Sequence, residues 1–266
     1  MHPRISLSAI STYSWNLERD LAFYESAEIT SIGASLAKLE EFGVAAGAAR
    51  IQAAGLRVTN LIGIGPFRLD DRRAWPAQQD RVKMALDAAL TIKAECLVLT
   101  TGPAGTLNWE EAADALAEAL QPVLADTRGI KFALEHTNSL RVDVGFVHTL
   151  ADVFDLAVSN DIGVCMEINA CWAERNLATT VRTHVDRLQL VQVSDFAIGT
   201  LSTPNRLVPG DGDIPIERIL RSVLDAGYSG CFDLELIGPR IDEEGYEAAA
   251  TRSIAALSEI LIALDA

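Results

Sequence analysis

Residues 131–167 read KFALEHTNSLRVDVGFVHTLADVFDLAVSNDIGVCME. An aliphatic run, Lys131–Glu135, gives way to a polar stretch, then to helical periodicity over Thr149–Asn160. The turn Asp161-Ile162-Gly163 then leads into a second aliphatic run, Gly163–Glu167. Two short apolar runs joined through a helix form a βαβ unit, whose strands lie parallel. Both runs end on a glutamate.

The same rhythm extends to both ends of the chain. Strands are predicted at Arg4–Ala9, Thr30–Gly33, Arg57–Gly63, Cys96–Thr100, Lys131–Glu135, Gly163–Glu167, Leu188–Ser194 and Cys231–Leu236. Helices are predicted at Leu17–Ser26, Leu36–Ala54, Pro76–Ala94, Glu110–Ala125, Thr149–Asn160, Leu177–Asp186, Pro215–Ala226 and Gly245–Leu264. The helix-to-strand returns are short and built on glycine, as in Ala54-Gly55-Leu56 and Ala226-Gly227-Tyr228. The strand-to-helix loops are longer. Eight such units without a break in composition predict a single (β/α)8 TIM barrel over residues 1–266, with its active site built from the longer loops. A doubly wound open sheet is the rival, but no GxGxxG follows the first strand.

Charge narrows the partners. The net charge is −15, from 37 acidic and 22 basic residues, and no Lys/Arg cluster could neutralise a run of phosphates. Nucleic acid is therefore not an expected partner; a small molecule is. No segment approaches the roughly 20 apolar residues that cross a bilayer, and Met1–Ile10 has no signal-like apolar core. The four cysteines show no CxxC pairing, which predicts a reduced, cytoplasmic protein. Oligomeric state stays open, a homo-oligomer being compatible.

Chemistry concentrates at the ends of the last four strands: Ala133-Leu134-Glu135, Cys165-Met166-Glu167, Val191-Gln192-Val193-Ser194-Asp195 and Leu234-Glu235-Leu236. A charge at the end of a buried strand is costly unless paired, and three like charges at one mouth raise the cost. Singly, each glutamate could sit in an ordinary ion pair. Together, and with no Arg or Lys on these strand ends, Glu135, Glu167, Gln192 and Glu235 point to a divalent cation. An all-oxygen set suits Mn or Mg better than Zn.

From Lys131 onward the chain resembles the xylose-isomerase-like superfamily of sugar phosphate isomerases and epimerases. The matching pieces are those four strand ends, the Pro209-Gly210-Asp211-Gly212-Asp213-Ile214 loop and Gly227-Tyr228-Ser229-Gly230 leading into Asp233-Leu234-Glu235. The resemblance implies metal ligands at Glu135, Glu167, Gln192 and Glu235, with Glu167 standing where Asp is usual and Gln192 where His is usual. It also implies proton transfer beside a carbonyl, with Glu135 and Glu235 as the acid–base pair and an enediolate between them. The expected substrate is a sugar, keto-sugar or cyclitol. Two alternatives stay open: a lyase or dehydratase on the same scaffold, and a non-catalytic barrel subunit.

Other candidates surround this core. His136 reads either as a donor to a substrate hydroxyl or as a loop histidine bonded to backbone, and Asp195 either as an orienter of the site or as a cap. Arg206, before the Gly210-Asp211-Gly212 turn, suits a clamp on substrate oxygens. Asn169 completes the expected substrate contacts from the loop after Glu167. All four tryptophans, Trp15, Trp75, Trp109 and Trp172, fall in predicted strand-to-helix loops. Trp109 and Trp172 in particular are expected to form an aromatic wall against the substrate. Asp213 is expected to cap the helix beginning near Pro215.

Overall fold

The computed structural model describes residues 1–266. Eight parallel strands close into one barrel in sequential order: β1 (Ile5–Ser8), β2 (Ser31–Ser35), β3 (Arg57–Ile64), β4 (Cys96–Thr100), β5 (Lys131–Glu135), β6 (Gly163–Glu167), β7 (Leu188–Val193) and β8 (Phe232–Leu234). Closure is made by β8 on β1, where Ile5, Ser6 and Leu7 pair with Phe232, Asp233 and Leu234. The (β/α)8 expectation is met.

Period-two alternation decides what enters the barrel. Phe132, Leu134, Val164, Met166, Val191, Val193, Phe232 and Leu234 join the large core between strands and helices. Ala133, Cys165 and Leu190 join Ile62, Cys96 and Val98 in a smaller cluster inside the barrel. The next inward residue up each strand is therefore Glu135, Glu167 or Gln192. On β8 the inward positions are Asp233 and then Glu235.

Register brings these residues to one level. Thr100 pairs with Glu135, Glu135 with Cys165, Glu167 with Gln192, and Gln192 with Asp233. The two-residue climbs from β5 to β6 and from β7 to β8 are the stagger of tilted strands, and they lift Glu167 and Glu235 to the mouth.

The helices are α1 (Leu17–Ser26), α2 (Leu36–Phe42), α3 (Val44–Ala53), α4 (Trp75–Ile92), α5 (Trp109–Leu124), α6 (Leu150–Ser159), α7 (Ile168–Cys171), α8 (Leu177–His184), α9 (Ile216–Asp225), α10 (Pro239–Glu244) and α11 (Tyr246–Ala263). Local chemistry sets several of their starts. Asn16 caps α1, Thr149 caps α6, and Asn108 with Glu111 forms a reciprocal capping box on α5. A buried ion pair ties α1 and α2 to the first strand-to-helix turn: Lys38 Nζ lies 2.5 Å from Asp20 Oδ2 and donates to the Thr12 carbonyl at 2.9 Å.

Three expectations need correction. The single helix over Leu36–Ala54 is two helices, broken at Gly43, whose φ of 96° no side-chain-bearing residue adopts readily. Asp213 does not cap α9: Pro215 takes the cap position, and the Asp213 carboxylate instead accepts the Ile198 N–H at 2.8 Å, bracing the preceding loop. Strand β8 stops at Leu234, so Glu235 lies one residue beyond it, still tied to β7 by its N–H on the Val193 carbonyl at 3.3 Å. All four cysteines are free and buried, and no helix is long and apolar enough to cross a membrane.

Candidate active site

The mouth of the barrel holds a cavity of about 220 Å³. Glu135, Glu167 and Glu235 stand on its floor, with ligand atoms all within 4.8 Å of one another and each residue no more than 6% exposed. His136, Thr137, Asn138, Arg141 and Val144 contribute from the loop after β5, and Thr203, Pro204 and Arg206 from the loop after β7. Asn169 adds to the wall, its N–H donating to Glu167 Oε1 at 2.9 Å.

The three acids have unequal surroundings. The Glu135 side chain makes no hydrogen bond within the protein; burial, then Glu235 and Glu167, push its carboxyl well above the usual carboxylate range. Burial also raises Glu167, to about 7, against the pull of Arg206. Glu235 is the most engaged, taking hydrogen bonds from both the Gln192 amide and the Arg206 guanidinium.

No strand end carries a basic residue, but Arg206 brings a positive charge to the ring. It arrives from the β7 loop rather than from a strand end, pairs with Glu235, and approaches Glu167 Oε2 to 2.7 Å. The Glu167 contact is an ion pair without a directed hydrogen bond, for Oε2 has no donor aimed at it. Although burial opposes its charge, Glu167, Glu235 and Glu135 hold the guanidinium firmly protonated. Gln192 stands beside the Glu235 carboxylate. It spends its N–H on Glu235, because a buried carboxylate demands donors, and leaves its own Oε1 buried without a partner.

The donor set suits a divalent cation. Three carboxyl groups converge, Glu135 and Gln192 Oε1 are uncommitted, and the crowding that raises the proton affinity of Glu135 and Glu167 is what a bound cation would relieve. The aromatic wall is not formed. Trp172 lines a separate groove between α8 and α9, Trp109 is 37% exposed against Phe146, Trp15 packs on Phe23 and Tyr246, and Trp75 bonds the Arg68 carbonyl. Tryptophans in these loops pack beneath or beside them, where their large apolar area is best covered.

His136 is fully buried, and its Nε2 accepts the Glu167 backbone N–H at 3.3 Å, so the ring braces β6 and its Nδ1 is left without a partner. Burial lowers its pKa to about 3, which keeps it neutral. Asp195 does not reach the ring of acids. Its two oxygens accept the N–H groups of Phe196, Gly210, Gly212 and Ile214 at 2.8–3.0 Å, folding the β7 loop around one carboxylate. Gly212 is required there, since a Cβ would lie 2.4 Å from Asp195 Oδ1.

Sequence reasoning passed over Asp233. It sits inside the barrel one layer below Glu235, accepts a 2.5 Å hydrogen bond from Ser6, and is raised by burial to about 7. The alternation Asp233-Leu234-Glu235 already places it on the inward face. Thr100, Asn138 and Arg141, which also line the cavity, carry no comparable signal.

A closed parallel barrel with a ring of acids on its C-terminal mouth defines a class in which the loops supply binding and the strand ends supply chemistry. The model of the xylose isomerase-like TIM barrel family matches residues 21–259, and the chain belongs to that family. Among curated relatives, an inosose isomerase of Halalkalibacterium halodurans is 24% identical over 137 residues, covering 49% of this chain and 46% of that one. A fructoselysine 3-epimerase of Escherichia coli O157:H7 is 24% identical over 174 residues, covering 62% and 60%. The chain thus spans about half to three-fifths of the length of the curated relatives it matches. Among solved structures, protein SMc04130 of Sinorhizobium meliloti 1021 superposes with TM-score 0.84 at 22% identity over 98% of both chains. The IOLI protein, solved with a zinc atom, superposes with TM-score 0.79 at 18% identity over 97% of this chain and 98% of that one.

Proposed function

We propose that the chain is an isomerase or epimerase of a sugar, keto-sugar or cyclitol, moving a proton beside a carbonyl through an enediolate. The observation that carries this reading is Glu135: a carboxylate with no internal partner, its proton affinity raised by burial and by Glu235 and Glu167, facing the cavity. A general base for a carbon acid needs that combination of reach, basicity and freedom. The names of the two curated relatives, an isomerase and an epimerase, point the same way.

Glu135 and Glu235 come from β5 and from the end of β8, the two ends of the arc of acids, so a substrate over the ring meets a carboxylate from either side. One takes the proton and the other returns it. Asn138, Arg141 and Thr203 supply polar contacts on the cavity wall, with Asn169 and Arg206 close to the acids. His136 holds the Glu167 strand end in place. Glu135, Glu167, Gln192 and Glu235 would hold a divalent cation, with Mn or Mg favoured by the all-oxygen donor set. Such an ion would supply Lewis-acid stabilisation of the developing enediolate oxygen.

The test is incubation of the purified protein with a panel of keto-sugars and inososes in deuterated water, with Mn or Mg present. A product of unchanged composition carrying one solvent deuterium supports the reading; loss of water from the substrate assigns a dehydratase instead. No conversion of any member, together with no exchange, removes the enzymatic reading.

A further inference from the structure

We infer that the Arg206 guanidinium is the ring's own counter-ion, and that a divalent cation binds by displacing it from Glu167 and Glu235. This rests on the reading above that the ring holds such a cation. The guanidinium pairs with the Glu235 carboxylate, donates to the Glu235 carbonyl at 3.1 Å, and lies 2.7 Å from Glu167 Oε2. Those carboxylates are two of the three a cation would need. Sharing is unfavourable: each Glu oxygen given to the metal is lost to the arginine, and two buried cations in contact repel strongly.

The exchange needs only a side-chain swing. The Arg206 backbone is fixed by its N–H on the Ile237 carbonyl at 3.0 Å, and Leu207 and Asp195 exchange both their backbone hydrogen bonds at 2.9 Å. Gly238 lets the two segments touch, since a Cβ there would lie 2.9 Å from Asn205 Cα. With that anchor the long side chain has two places to go: down to the ring, or up along the cavity wall to which Arg206 already contributes. Metal loading therefore frees the fork-shaped guanidinium for substrate oxygens, so that arming the ring and arming the clamp are one event. It also lowers the apparent metal affinity by the fraction of rings in which Arg206 is out.

Manganese affinity measured by calorimetry, with free Mn followed by electron spin resonance, tests this on the intact protein and on Arg206→Met. The variant should melt lower than the native chain without metal, recover on adding Mn, and bind Mn about tenfold or more tighter because no internal cation competes. Equal or weaker binding by Arg206→Met overturns the displacement while leaving the cation reading in place. Absence of Mn binding by both proteins removes both. Should Arg206→Met fail to fold, ¹⁵N-arginine spectra of the native chain decide: the Arg206 N–H protons should be protected from exchange without metal and lose that protection at saturating Mg. Protection unchanged at saturation overturns the inference.

Discussion

Of the two roles the sequence leaves open for His136, the structure shows the bond to backbone. Its ring lies buried, accepting the Glu167 N–H, and folding lowers its pKa from 6.5 to about 3. The folded state therefore binds fewer protons than the unfolded chain between those values. The stability this group contributes is full above pH 6.5 and is lost as pH falls through that window. At roughly 1.4 kcal/mol per pH unit the loss reaches about 2 kcal/mol at pH 5. Glu167 and Asp233, both raised to about 7, gain stability over the same range, so the His136 contribution is read as a difference. In urea unfolding from pH 7 to pH 5 the native chain should lose about 2 kcal/mol more than His136→Gln, and equal changes in the two proteins would contradict the assignment. The glutamates were legible because an acid inside an aliphatic run is a local anomaly. Arg206's loop at the mouth was legible too, but its pairing with Glu167 and Glu235 was not, because it depends on Ile237 and Gly238, which meet its backbone only after the barrel closes. At Gln192 the sequence names an amide but not which end of it the neighbouring carboxylate will claim; Glu235 takes the N–H and leaves Oε1 free.

At the level of elements, the strands were legible nearly to the residue from β3 to β7, where aliphatic alternation is unbroken. Errors fell where glycine or tertiary contact overrides propensity, as at Gly43 between α2 and α3. The Lys38–Asp20 pair joins α1 to α2 with both side chains almost wholly buried. Lys38→Met should leave Asp20 buried without its partner and cost about 3–5 kcal/mol. Chemical denaturation measures this, and a loss under 1 kcal/mol would mean the pair does not hold these helices together. The β7 loop is organised by Asp195. Asp195→Asn replaces an acceptor oxygen by a donor amide and strands N–H groups of the Gly210–Gly212 turn, a cost of about 1–3 kcal/mol. Since that loop carries Arg206, KM should rise more than kcat falls; a variant with native stability and native KM would refute this role for Asp195.

For the whole molecule, barrel closure converts four separated strand ends into one site. Strand spacing and stagger predict that convergence, and the ring forms at the mouth as they require. The aromatic wall failed at this same scale, because a tryptophan's place in a loop says nothing of whether the loop turns it toward the mouth or under itself. What the closed barrel presents is a small, acid-floored cavity with Glu135 and Glu235 at the ends of its arc. The most direct test is solvent deuterium exchange into each epimer of a turned-over substrate, by the native chain, Glu135→Gln, Glu235→Gln and the double variant. Each single variant should lose conversion by about 10²–10⁴-fold while still exchanging the proton of the one epimer its remaining carboxylate faces. The double variant should exchange neither. Native conversion by either single variant, or exchange by the double variant at the native rate, would contradict a two-carboxylate proton transfer at this mouth.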